Sequence, residues 1–240
     1  MQPTMLPLDA DNPIFSPAPR LFNHHNISNP YISWGGKFEC QCVKGLATTT
    51  LNYLLGDSFI ERLSRPSLLS LSQAKLPGWL NCGIGGDKVQ HVLWRLLHGG
   101  TPANPGKCII AMGSNNLKRS SNSKECRLIA NTIVTTAKYL LNKHPNIGLA
   151  VVGIFPREDE GKCKAAETVN AILQYNLPSN VFFVPPPNII FNKHGTPNVR
   201  FYENDSVHLN PEGYMVLLDS SGHSSTCRIN PTQSKEVLRF

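Results

Sequence analysis

The sequence predicts an α/β fold built around a parallel sheet. From Leu51 onward, short apolar runs alternate with amphipathic stretches, and each run ends close to a polar or glycine-containing loop. With 240 residues, 40% hydrophobic and 16% charged, the chain can bury one sizeable core. The five candidate strands are Leu51–Leu55, Trp79–Asn81, Cys108–Met112, Leu149–Ile154 and Val181–Val184.

The clearest helix runs from Asp87 to His98, where Val89, Val92, Leu93, Leu96 and Leu97 fall at i, i+3, i+4, i+7 and i+8 and should face the sheet. His91, His98 and Trp94 are read there as solvent-facing, helix-end and core or interface residues. A second helix is expected over Lys124–Asn142 and a third over about Cys163–Tyr175. Asn210-Pro211-Glu212 announces a last one, with a capping Asn, Pro at the first helical position and an acid in the first turn.

Residues 1–48 carry six prolines with little periodicity and read as an extended arm, residues 49–220 as the domain, and residues 221–240 as a polar tail. Cys40-x-Cys42 with His24 and His25 matches no common zinc spacing, so no metal site is expected. No apolar run is long enough to span a membrane, and the N-terminus lacks the charged and apolar regions of a signal peptide. Seven cysteines, with Cys82, Cys108 and Cys163 inside apolar runs, point to buried reduced thiols and a cytoplasmic setting. Between Gly113 and His144, six basic residues face Glu125 alone, which supplies +5 of the net +7. Aromatic interleaving is missing, so this segment reads as a solvated helix face and nucleic acid is not an expected partner.

Reactive loops of open parallel sheets gather at the carboxyl ends of the strands. Four such segments carry one coherent chemistry. In Gly56-Asp57-Ser58-Phe59 a strand runs through a tight turn to a serine at the start of a helix, with its hydroxyl in the cleft and its backbone N–H aimed where an oxyanion would form. Gly83-Ile84-Gly85-Gly86-Asp87 precedes the clean amphipathic helix and lets backbone N–H groups approach a ligand, while its spacing fails the dinucleotide fingerprint. Gly113-Ser114-Asn115 puts an amide at a strand end. Asp205-Ser206-Val207-His208 places a carboxylate three residues before an imidazole, where it can hold the ring in the tautomer that accepts a proton from serine.

The four segments resemble the sequence blocks of the SGNH (GDSL-like) hydrolase superfamily. The run Gly83–Asp87 with His91–Leu96 is similar to the catalytic subunits of type Ib platelet-activating factor acetylhydrolase, and the resemblance covers roughly residues 50–219. It implies a flavodoxin-like three-layer α/β/α sandwich and hydrolysis of short-chain, acetyl-type esters. Ser58 is then the nucleophile, with His208 as base and acid and Asp205 as its orienter. Ser58 and Gly86 N–H groups with the Asn115 amide form the oxyanion hole, and Phe59, Ser114 and Val207 wall the acyl pocket. It further implies no cofactor, a small ester as substrate, and a homodimer or a heterodimer with a related subunit. Phe59 stands at a leucine-like position, and the last helix is expected to end near Ser220, where relatives continue. Rival expectations are a non-catalytic module on the same fold, an esterase tethered to an anionic polymer or membrane through the basic segment, and carbohydrate acetyl esterase or lysophospholipase activity on the same constellation.

Overall fold

In the computed structural model, residues 52–98 and 104–220 are described, together with Lys37 and Pro102. The Cys40-x-Cys42 pair, His24, His25 and the tail from residue 221 lie outside the described residues, as does the arm apart from Lys37. The elements are β1 (Asn52–Gly56), α1 (Ser58–Glu61), α2 (Pro66–Lys75), β2 (Leu80–Gly83), α3 (Val89–Leu97), β3 (Lys107–Ala111), α4 (Ser123–Lys143), β4 (Gly148–Val152), α5 (Glu160–Asn176), β5 (Val181–Val184) and α6 (Pro211–Ser220).

All five strands pair in parallel, in the order β2-β1-β3-β4-β5. Alternation along β1 explains the layers. Tyr53 and Leu55 face a core shared with α3, α4 and α5, while Leu54 faces a second core containing Ile60, Leu68, Tyr214 and Leu217. Both sheet faces are therefore buried, which is why the strands read as near-continuous apolar runs. The order reverses between β1 and β3, so the loops after those two strands diverge and leave a crevice at their carboxyl ends.

Local chemistry sets the boundaries of the helices. α4 begins at a reciprocal capping box: Asn122 Oδ1 accepts from Lys124 N and Glu125 N, and Glu125 accepts from Asn122 N. Asp159 Oδ1 caps α5 by accepting from Lys162 N at 3.1 Å, starting it at Glu160, three residues ahead of the sequence expectation. α3 buries Val89, Val92, Leu93 and Leu96 as its periodicity predicts. α2 went unpredicted because its leucines and serines are not segregated to one face and only Leu68 is buried. The basic residues Lys124, Arg127, Lys138 and Lys143 are exposed along α4. Cys82, Cys108, Cys126 and Cys163 are buried free thiols. No described helix is long and apolar enough to cross a membrane.

Candidate active site

β1 delivers Ser58 to the crevice through a turn that only glycine can begin. A Cβ on Gly56 would lie 2.0 Å from the Ala111 carbonyl oxygen on β3, a separation no side chain tolerates. Asp57 follows, fully buried; its Oδ1 accepts from Phe59 N at 2.9 Å, starting α1 with Ser58 as its first residue, and its Oδ2 accepts from Ser114 Oγ at 3.3 Å. Burial pushes the Asp57 carboxyl up to about 6 against those two hydrogen bonds.

His208 reaches Ser58 from the far end of the domain: Nε2 lies 3.0 Å from Ser58 Oγ. Its Nδ1 lies 2.6 Å from Asp205 Oδ2, while Asp205 Oδ1 accepts from the backbone N–H groups of Val207 and His208, both at 2.9 Å. With Nδ1 donating to the carboxylate, Nε2 is the acceptor facing the serine hydroxyl. Partial burial would raise the Asp205 carboxyl, but the hydrogen bonds from His208 and Val207 outweigh it and hold the group at about 2. Desolvation lowers the imidazole pKa of His208 against the pull of Asp205, with the guanidinium charges of Arg62 and Arg157 adding to the downward shift.

The turn carrying this pair is closed on itself. Tyr202 and Leu209 form an isolated antiparallel bridge, Glu203 N donates to the His208 carbonyl at 2.8 Å, and Ser206 takes a left-handed conformation at φ 51°. Asn210 clamps the base, its Nδ2 donating to the Arg200 and Tyr202 carbonyls and its Oδ1 accepting from Gly213 N in the first turn of α6.

Ser58, Phe59, Ser114, Val207 and His208 line one cavity of about 430 Å³, partly open to solvent. Gly86 and Asn115 are not among its lining residues. The glycine turn nevertheless runs alongside, for a Cβ on Gly85 would stand 3.8 Å from Ser58 Cβ, and Gly86 sits at φ 76°. Asn115 Nδ2 donates to the Asp87 carbonyl at 2.9 Å, tying the loop after β3 to that turn. Phe59 stacks on Phe155 at 4.8 Å and leans on Tyr214 at 5.1 Å. Behind it lies a second, apolar cavity of about 460 Å³, lined by Leu54, Leu63, Ile109 and Leu217 among others, with Phe59 and Val152 on the border of both.

Two arginines went unassigned at the sequence level. Arg95, fully buried on α3, donates from Nε to Asp87 Oδ2 at 2.9 Å, from Nη1 to the Cys82 carbonyl at 3.0 Å and from Nη2 to the Gly56 carbonyl at 2.9 Å. One guanidinium thus braces the ends of β1 and β2 and the glycine turn. An arginine inside the apolar run Val92–Leu97, eight residues after an aspartate, was the available signal. Arg157, in the loop after β4, lines the cavity of Ser58 and His208; a lone arginine after a strand carries no comparable sequence signal.

A parallel sheet with this strand order, a serine–imidazole–carboxylate relay at its reversal and a cleft beside it defines a class, the carboxylic-ester hydrolases of the SGNH type. The chain belongs to the GDSL-like Lipase/Acylhydrolase family, whose model matches residues 54–216. It is 28% identical over 128 residues to the platelet-activating factor acetylhydrolase IB subunit alpha2 of Homo sapiens and of Rattus norvegicus, a match covering 52% of this chain and 53% of each subunit. The chain thus spans about half the length of the curated relatives it matches. Its fold is similar to a GDSL-like lipase from Bacteroides thetaiotaomicron (TM-score 0.61, 16% identity, covering 76% of this chain and 93% of that one). It is also similar to a catalytic mutant of an acetylxylan esterase from Geobacillus stearothermophilus (TM-score 0.55, 17% identity, covering 72% and 92%).

Proposed function

We propose that the chain is a serine esterase acting on short-chain, acetyl-type esters. The observation that carries the proposal is the unbroken contact from Ser58 Oγ through the His208 ring to Asp205 at the edge of an accessible cleft. His208 Nε2 removes the Ser58 proton as Oγ attacks the ester carbonyl. The tetrahedral oxyanion then meets the backbone N–H groups of Ser58 and Gly86 and the second N–H of the Asn115 amide. His208 next gives its proton to the departing alcohol, and a water molecule, deprotonated by the same ring, releases the acid. Asp205 stays ionised throughout and stabilises the imidazolium.

Phe59, Ser114 and Val207 bound the acyl side of the cavity and favour small acyl groups. The relatives' name supports a lipid of the platelet-activating factor type as one candidate substrate. Their designation as subunits supports pairing with a second copy or a related chain, which sedimentation would check. The four buried free thiols support a cytoplasmic, reducing setting.

Hydrolysis of p-nitrophenyl esters of increasing chain length, by wild type and Ser58→Ala, tests the assignment together with fluorophosphonate labelling of the folded protein. Acetate should be turned over fastest, and both hydrolysis and labelling should vanish in Ser58→Ala. Undiminished hydrolysis by that variant, or no labelling of wild type, would refute it.

A further inference from the structure

Arg157 is the one fixed cation among the described residues that line the reactive cavity. Its side chain is 11% exposed, so the guanidinium has given up most of its water and needs fixed acceptors in exchange. Two are in place: Nε donates to Glu158 Oε2 at 3.0 Å, and Nη1 donates to the Ser114 carbonyl at 3.1 Å. Glu158 is shared, because Lys162 Nζ binds its other oxygen, and the other acid within electrostatic reach, Asp57, is engaged by Phe59 N and Ser114 Oγ. Nη2 is accessible and makes no hydrogen bond with a described residue.

The mounting is rigid. The Tyr202 hydroxyl donates to the Pro156 carbonyl at 3.2 Å and the Cys163 thiol to the Arg157 carbonyl at 3.1 Å, fixing the backbone on both sides of the Cα. A guanidinium held this way is a preorganised fork, and little side-chain freedom remains to be lost when a ligand oxygen arrives. The same hydrogen bond to Ser114 sets it against the wall of the acyl pocket, within electrostatic reach of His208 and Asp57.

We propose that Arg157 is a specificity-determining residue whose Nη2 receives an anionic oxygen, carboxylate or phosphate, carried by the ester a few bonds from its scissile carbonyl. The inference rests on the triad assigned above and adds to it the charge of the substrate. An uncharged ester leaves this donor with water alone, whereas an anionic one gains a charge-assisted hydrogen bond where water is largely excluded.

The test compares kcat/KM within two matched pairs of esters. In the carboxylate pair, p-nitrophenyl monosuccinate is set against p-nitrophenyl butyrate; in the phosphate pair, the acetyl ester of glycerol 3-phosphate is set against that of glycerol. A charge-assisted contact predicts a charged-to-neutral ratio of about 10 to 100 in at least one pair, and the pair that shows it identifies the anion. In Arg157→Gln that ratio should fall below about 3, with Arg157→Lys between, because lysine restores charge without the planar fork. Each ratio is internal to one protein, so partial loss of folded enzyme cancels. Wild-type ratios below about 3 in both pairs, or a ratio that survives in Arg157→Gln, overturn the proposal. Ser58→Ala is the separate control: retained hydrolysis there removes the triad, whereas complete loss there with a failed ratio removes Arg157 alone.

Discussion

Replacing Arg95 by methionine strands a carboxylate in the core, and the size of the effect follows from its contacts. Arg95 and Asp87 both have side-chain exposures of 0%, and their ion pair is closed at 2.9 Å. Removing one partner of such a pair costs about 3–5 kcal/mol, because the remaining charge stays buried without its closest counter-ion, the His91 ring lying farther off with Nδ1 3.8 Å from Asp87 Oδ1. The Cys82 carbonyl loses a donor as well, worth about 1 kcal/mol, while the Gly56 carbonyl keeps the Ile84 N–H at 3.1 Å and is only weakened. The expected loss therefore sits at or above the upper end of that range, beyond the roughly 0.5–3 kcal/mol of most substitutions. Urea unfolding followed by circular dichroism measures it directly. The double variant Arg95→Met/Asp87→Leu removes both charges and should regain a large part of the loss, since well-packed apolar pairs often replace buried ion pairs at no net cost. A single-variant loss below about 1 kcal/mol, or a double variant no more stable than the single, would refute the reasoning.

Other outcomes follow from the same geometry. The acid limb of kcat/KM should have its midpoint below about 6.5, the ordinary imidazole value, because His208, as the proposed base, must be neutral to accept a proton and its folded pKa is lowered. Arg62→Gln should move that midpoint upward, and a wild-type midpoint above about 7 contradicts the expectation. Asp57 titrates in the opposite sense. Its folded pKa, about 6 against an ordinary 3.8, makes its contribution to stability greatest below 3.8 and lost as pH rises to about 6. That difference corresponds to at most about 3 kcal/mol. Asp57→Asn, whose amide oxygen can still cap Phe59 N, should therefore gain on wild type in chemical denaturation between pH 4 and 6.5; a constant difference across that range removes the premise. Phe59→Ala should join the reactive cavity to the apolar one behind it and shift preference toward longer acyl chains. Each methylene admitted there is worth about 0.8 kcal/mol, roughly fourfold in kcat/KM, and an unchanged chain-length profile would show that the two spaces stay separate.

Much of this architecture was legible in the chain itself. Five strands emerge from apolar runs because both sheet faces are covered, and α3 emerges because its valines and leucines repeat at helical spacing along one buried stripe. Strand edges drift by a residue or two, since apolar side chains continue past the last ladder bond, as at Met112 and Ile154. α2 stayed hidden because tertiary packing, not face segregation, holds it. For the candidate site, Gly56-Asp57-Ser58 and Asp205-x-x-His208 were readable as local patterns, but their contact across 150 positions is made by the segment after the edge strand β5, which crosses back to α1, where the Tyr214 hydroxyl donates to the Phe59 carbonyl. Arg95 carried a local signal in its spacing from Asp87, but its bracing role, like the placement of Arg157 at the cavity, depends on the distant carbonyls of Gly56, Cys82 and Ser114 that only folding brings near. The positions of Gly86 and Asn115 beside the cavity wall, outside its lining residues, likewise depend on loop geometry that spacing does not encode.

The clasp between Tyr202 and Leu209 has a mechanical consequence. Carboxylate and imidazole ride on the same short closed loop and travel as one body, so thermal motion cannot easily pull the acid away from the ring it steadies. The soft joint of the assembly is the gap between that body and the serine on α1. A small molecule wedged there, or a partner leaning on the loop, would part the proposed nucleophile from its base with a displacement of an ångström or so and leave the Asp205–His208 pair intact.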